Sequence, residues 1–412
     1  MALVLAAAGC AGEDEDCYIP TSFTRADICT LLGDACATAL ASEPTLSAPI
    51  TVVPTDPASM PAGVISQVSH NNLDIVWHGD RLYVAFRTAP NHFASADTRL
   101  YVVSTQDQVT WTLEASFFHN TDLREPRFLS VGDTLFLYYA LLGQNPAAFE
   151  PQGSMLTERT GPCGWTEPEP FYPEVPGFIP WRAKQVGDTA YVIGYEGGEN
   201  IYVPGGDPVR VHWLTTTDGR TFAPVVPGQP VVLTGGASET DLVRMDDGSV
   251  VAVARNELGD AEGWGSKICR AEASAPGAWT CAHDRRKFDS PILFRHRDEV
   301  WLIARRQLDN DGYYDLERRE LTPEQQTTLY NRTYWLGPKR CALWRIDGNR
   351  LTATHVLDLP SAGDTCFPGV VQLDADRYLV YNYSSPFEPA NITWFDGQFG
   401  PTFIYRTVLT LP

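Results

Sequence analysis

"SETDLVRMDDGSVVAVARNE", residues 238–257, reads as two apolar strands joined by a turn at Asp246-Asp247-Gly248. An acid, Glu239, stands at the mouth of the first strand, and Arg255 at the end of the second. Both strands read as fully buried, so a packed sheet would favour valine at either place. The phrase is one of six. It recurs as "VWHGDRLYVAFR" (76–87), "FLSVGDTLFLYYA" (128–140), "AKQVGDTAYVIGYEGG" (183–198), "LFRHRDEVWLIARR" (293–306) and "VQLDADRYLVYNYSS" (371–385). Each copy is a strand, a turn centred on Gly/Asp, and a second strand rich in β-branched and aromatic residues. A second phrase, a polar turn followed by an aromatic and usually threonine, trails the copies: "STQDQVTWT" (104–112), "GPCGWTEP" (161–168), "TTTDGRTFAP" (215–224), "SAPGAWT" (274–280) and, degenerately, "WRIDGNRLT" (344–352). Two strands followed by a further hairpin, six times over, predict an all-β fold: a six-bladed β-propeller of four-stranded antiparallel blades.

The propeller is expected over residues 47–412, with the N-terminal "SAPITVVPT" (47–55) supplying the fourth strand of the last blade and latching the ring. Residues 307–338 interrupt the fifth blade with a helix-like insertion, which is expected to lie over one face of the disc, where ligands bind. Ahead of the propeller, residues 1–10 ("MALVLAAAGC") resemble a bacterial lipoprotein signal ending at Cys10. Residues 11–46 read as an acidic linker and a short helical segment stapled through Cys17, Cys29 and Cys36. Nine cysteines less Cys10 leave an even number suited to disulfides, with Cys269 and Cys281 flanking a hairpin as a cross-strand pair. The expected location is therefore an exported lipoprotein on the outer membrane or cell surface, or a periplasmic or secreted protein if not lipidated. Membrane contact is expected only through the anchor at Cys10.

A net charge of -20 argues against a nucleic-acid partner, because phosphate binding needs basic surface. The eight histidines are scattered without ligand spacing, so no metal site or cofactor is predicted, while a structural calcium held by backbone and aspartates stays open. The expected state is a monomer.

In a propeller the innermost strands start near a shared channel. Their mouths carry His70-Asn71-Asn72, Asp122 with Arg124-Glu125, Trp181-Arg182, Glu239, Asp289-Ser290 and Asp364. The far ends of the second strands add Arg87, Arg255-Asn256-Glu257, Arg305-Arg306 and Tyr381-Asn382-Tyr383. Separate segments thus deliver polar groups to one topological position, where unpaired buried charge costs several kcal/mol (order of magnitude). A funnel that binds a ligand is one reading; charged pairs that only satisfy each other is the other.

These features resemble the sialidase (neuraminidase) superfamily of six-bladed propellers over most of residues 60–410. "STQDQVTW" and "TTTDGRTF" are similar to its Asp-box (BNR-repeat) turn, which marks the fold and carries no chemistry. "SETDLVRMDDGSVVAVAR" resembles the family's fourth-blade segment. Carried over, the resemblance makes Glu239 the base that polarises a catalytic tyrosine and Arg255 one of three arginines gripping a substrate carboxylate. It implies Arg340, with Arg305 as competitor, as another of the three, and Asp97 as acid/base. Where the family has its first arginine this chain has Asn71 or Asn72, and where it has its tyrosine this chain has Phe367, so Tyr381 or Tyr383 is the substitute. Arg87, Arg124 and Arg182 are further candidates for substrate charge, Trp181 for stacking, and Asp289 for substrate contact or acid/base work. The implied activity is that of an exo-α-sialidase-like glycoside hydrolase acting on an acidic glycan in the funnel. The alternative is a noncatalytic carbohydrate-binding surface lipoprotein that has lost the nucleophile.

Overall fold

The computed structural model describes residues 43–54, 60–186, 189–203 and 205–412; the expectations for Cys10, Cys17, Cys29 and Cys36 lie outside the described residues. Thr45–Thr410 form one compact unit. Within Thr45–Thr410 six antiparallel sheets follow one another along the chain. Blade one is Ser69–His78, Arg81–Ala89, Arg99–Thr105 and Thr112–Phe117, each strand pairing with the next. Blades four and five repeat this plan from Ala237–Arg244 to Thr280–Asp284 and from Asp289–His296 to Thr352–Leu359. In blades two and three the outer position is shared by two short strands. The first strands of successive blades touch around a closed ring, from blade one through blade six and back. This is the six-bladed propeller the repeats predict.

Ring closure uses the chain's two ends. Blade six runs Gly369–Gln372, Arg377–Ser384, Phe403–Thr410, and its outer position is filled by Thr45–Leu46 and Ile50–Val53. The outermost edge of the last blade is thereby covered by the first strands, which removes an unpaired row of N–H and C=O groups.

Both faces of each blade are buried against neighbours, which explains the continuous apolar runs. Blade four's Val251, Val253 and Ile268 pack with blade five's Leu293, Leu302 and Trp344. Tyr83, Leu100 and Val102 of blade one meet Phe128, Leu135 and Leu137 of blade two in the same way. The polar turns hold their shape through aspartates. Asp107 accepts from the Val109 and Thr110 N–H groups at 2.8 and 2.7 Å, and Asp218 does the same for Arg220 and Thr221. The expected cross-strand bridge Cys269–Cys281 is present at a directly paired position. A second bridge, Cys341–Cys366, ties blade five's third strand to the approach of blade six; nothing in the cysteine spacing pointed to it. Cys163 is exposed and, among the described residues, unpaired.

The insertion carries a helix, α1 (Pro323–Trp335), started by a capping box in which the Thr322 side chain accepts from the Gln325 N–H and the Gln325 side chain from the Thr322 N–H. Its Tyr330 and Tyr334 pack with Tyr314 and with Trp264 of blade four, and Trp264 Nε1 donates to Thr327 Oγ1 at 3.0 Å. That cluster seats α1 against blade four and directs its C-terminal end to the disc's central opening.

Candidate functional site

The innermost strands share one irregularity. In blades one to five, register slips by one residue at the end nearest the channel: between Asn71 and Leu73, Arg124 and Arg127, Pro180 and Arg182, Ala237 and Thr240, and Asp289 and Ile292. Such a bulge turns side chains out of the sheet plane. Asn72, Glu125 and Ser290, which sit in three of them, have φ of 43°, 53° and 52°, the left-handed region that non-glycine residues occupy at a cost of about 1–3 kcal/mol. Glu239 sits in the blade-four bulge, and Arg255 is the residue opposite it on the next strand. The acid and the arginine that a flat buried sheet would reject are therefore aimed into a common space.

That space is a cavity of about 420 Å³. Asn72, Glu125, Glu239, Ser290 and Phe367 reach it from the inner strand mouths, Arg255, Arg305 and Tyr383 from the second strands, and Trp335 from α1. Loops add Phe149 and Tyr202, and the short helix Trp394–Gly397 adds Trp394, so a charged floor meets aromatic walls.

Arg255 organises the floor. Its Nη1 lies 2.9 Å from Glu239, 3.3 Å from Glu257 and 3.6 Å from Asp289, and its Nε donates to Ser238 Oγ at 3.0 Å. The other Glu239 oxygen accepts from the Ser290 N–H at 2.7 Å. Burial pushes the Glu239 carboxyl up to about 7, the Arg255 charge opposing it and the neighbouring Asp289 and Glu125 charges adding to it. Asp289 is also buried, but Lys287, Arg305 and Arg255, with a hydrogen bond from the Tyr334 hydroxyl, hold it down to about 2. Two carboxyls sharing one guanidinium are thus pushed in opposite directions, Glu239 toward its protonated form and Asp289 toward its ionised one.

Tyr383 stands on blade six. Its hydroxyl donates to Asp364 Oδ1 at 2.8 Å, and the other Asp364 oxygen lies 2.7 Å from His92 Nδ1. Burial and the Asp364 charge raise the Tyr383 hydroxyl well above its ordinary value, so it is a neutral phenol. Burial alone would raise Asp364; His92, Arg305 and the Tyr383 hydrogen bond hold it below the usual carboxylate range. Tyr381, two residues earlier on the same face of the strand, packs in the apolar core, and its hydroxyl has no hydrogen-bond partner among the described residues.

The cavity brings together Asn72, Arg124, Glu239, Arg255, Asp289, Arg305 and Tyr383 of the residues expected from sequence. Three others lie behind its wall. Arg87 is fully buried on Asp122 at 2.8 Å, with its remaining donors on Asn71 and the Asn91 and Phe93 carbonyls. Arg182 donates to the Ser290, Pro291 and Pro368 carbonyls, and so fastens two strand mouths from below. Trp181 is fully buried, 5.4 Å from Phe367 and under the Arg127 guanidinium at 4.8 Å. Two are elsewhere: Asp97 is exposed in the loop after blade one's second strand, and Arg340 faces away on blade five's third strand, bonded to the Lys339 carbonyl. Among the described residues Glu239 receives no tyrosine hydroxyl, and the tyrosine–carboxylate hydrogen bonds at the cavity are Tyr383–Asp364 and Tyr334–Asp289. Lys287, paired with Glu257 and 3.5 Å from Asp289, escaped sequence reading, although it stands two residues before Asp289 at a strand mouth. His92, Tyr334, Trp335 and Trp394 carried no periodic signal, since all lie outside the repeats.

No family model matches the chain, and no curated protein matches it in sequence. Solved structures do. A Dyadobacter fermentans protein of unknown function superposes with a TM-score of 0.59 at 17% identity, covering 90% of this chain and 99% of its own. The Trypanosoma rangeli sialidase in complex with sialic acid gives 0.55 at 12% identity over 89% of this chain and 59% of that one, so the chain spans well under two thirds of it. The phage phi92 endosialidase gives 0.56 at 11% identity, covering 90% and 70%. Likeness at these identities establishes a sialidase-like fold.

Proposed function

We propose that this chain is a glycoside hydrolase of sialidase-like architecture working in the central cavity. The carrying observation is the placement of two buried carboxyls at the cavity, Glu239 and Asp289, 2.9 and 3.6 Å from the same Arg255 Nη1, with burial pushing the first up and the surrounding cations holding the second down. Protonated Glu239 donates to the glycosidic oxygen as the bond to the anomeric carbon breaks. Ionised Asp289 stabilises the positive charge that develops on the sugar ring. The Tyr383 oxygen then attacks the anomeric carbon while its proton passes to Asp364, and water hydrolyses the resulting glycosyl-tyrosine. This division of labour moves the tyrosine's proton acceptor from Glu239 to Asp364 and takes the acid role from Asp97, whose exposed position offers no contact with the cavity. The Cys269–Cys281 and Cys341–Cys366 disulfides support export to an oxidising compartment, as the N-terminal signal-like sequence does.

A glycan-binding surface module without turnover is the second reading, favoured by Phe367 standing where the resemblance implies a tyrosine. A broad panel of aryl glycosides separates the two. Turnover by the parent chain, lost in Glu239→Gln and in Tyr383→Phe, supports hydrolysis. Retention on immobilised glycans with no turnover supports the binding module, and inactivity on the whole panel refutes the hydrolase.

A further inference from the structure

We propose that the cavity takes an uncharged, polyhydroxylated sugar ring and not a carboxylate-bearing one. The inference rests on the glycan reading above and names its substrate class. It starts from the cations. Arg124 lies 2.5 Å from Asp122, and its Nη2 is bonded to the His92 carbonyl. Arg305 spends Nη1 on Asp289 at 2.9 Å and its other nitrogens on the Thr365 and Cys366 carbonyls. Arg255 is shared by three carboxylates, and Lys287 by two. Among the described residues every arginine and lysine lining the cavity is already matched by an acid of the chain itself. A site that grips an anion leaves positive charge uncompensated; here an arriving carboxylate would have to displace a carboxylate bound at close range.

The unpartnered atoms point the same way. Asn72 is 4% exposed, and its Nδ2 donates to Glu125 Oε1 at 3.1 Å, which fixes the amide and leaves Oδ1 accepting nothing. Asp289 Oδ1 and Glu125 Oε2 likewise accept no hydrogen bond, their nearest cations standing at 3.5 and 3.6 Å. Three buried acceptors around one floor, two of them carboxyl oxygens, call for donors such as sugar hydroxyls and repel a ligand carboxylate placed beside them. On the wall, Trp394 Nε1 is an unpartnered donor suited to a hydroxyl oxygen, and the Trp335 and Phe149 rings suit the apolar face of a pyranose or furanose.

The test is ligand-observed NMR on the full chain. The uncharged probes are glucose, galactose, mannose and arabinose; the acidic ones are N-acetylneuraminic acid and glucuronic acid. The expected result is saturation transfer to at least one uncharged sugar and none to either acid. Asn72→Gly keeps the left-handed backbone while removing the acceptor, and is expected to weaken that binding about tenfold, near the net worth of one hydrogen bond. Acid binding tighter than every uncharged sugar overturns the proposal, and so does binding of no probe. The outcomes separate from those of the hydrolase reading. Uncharged-sugar binding without turnover sinks hydrolysis and keeps this proposal, whereas turnover of an aryl sialoside or glucuronide does the reverse.

Discussion

Replacing Glu239 with glutamine is expected to stabilise the protein at alkaline pH while removing its activity. In the folded chain the Glu239 carboxyl is raised from 4.5 to about 7, chiefly by burial. The unfolded chain ionises it near its ordinary value, so between pH 4.5 and 7 the folded state holds a proton that the unfolded state has released. Stability therefore falls as pH rises through that window, and the shift corresponds to on the order of 3 kcal/mol by pH 8. Glutamine removes the charge but copies the protonated form only in part: its oxygen accepts from the Ser290 N–H or from Arg255, and its amide nitrogen, which cannot accept, faces the other donor. The variant should then lie about 1 kcal/mol below the parent near pH 4.5, for the hydrogen bond it loses, and gain about 3 kcal/mol on the parent by pH 8, where it melts a few degrees higher. Thermal melts of both proteins at the two pH values decide it. A variant that melts below the parent at pH 8 would mean that Arg255, at 2.9 Å, keeps Glu239 ionised, and the proton-donor role would fail with it.

The pH–rate profile of the parent should fall as pH rises through about 7, because Glu239 then loses the proton it must donate; a rate rising across that range contradicts the assignment. Tyr383→Phe should lower kcat at least about a hundredfold, whereas Tyr381→Phe, which removes only an unpartnered buried hydroxyl, should leave kcat unchanged and stability equal or slightly higher. Replacing Cys341 and Cys366 together with serine should cost about 2–4 kcal/mol in chemical denaturation, since the bridge closes a sequence separation of 25 residues. Removing residues 1–54 exposes the outer edge of the last blade, and a lowered melting temperature with concentration-dependent aggregation is expected; unchanged behaviour would show that the closing strands are dispensable.

The repeats made the ring legible because each blade solves the same local problem. A strand pair buried on both faces must be apolar throughout, and its turn must carry Gly or Asp, so six copies of one phrase could be read without coordinates. The same regularity made Glu239, Arg255, Asp289 and Arg305 visible as exceptions, charges at strand ends where apolar residues belong. Sequence could not say which exceptions face each other. Arg87 stands where Arg255 does in the repeat and Arg182 opens an inner strand as Glu239 does, yet both lie behind the cavity wall and hold carboxylates and carbonyls of the scaffold. A single extra residue in the inner strands of blades one to five decides which side chain turns into the channel, and a one-residue bulge leaves no periodic trace. Asp97 and Arg340 were drawn in by resemblance alone, and their places on a loop and an outer strand keep them from the cavity. Conversely, His92, Tyr334 and Trp394 belong to a loop, the insertion and the short helix Trp394–Gly397, whose paths are set by contacts such as Trp264 against Tyr330 and not by any repeat. The amino-acid sequence thus determined the blades and the inventory of charges, because both follow from local burial. Only the tertiary structure decided the pairing of those charges, because proton affinity depends on which groups from different blades share the same few ångströms.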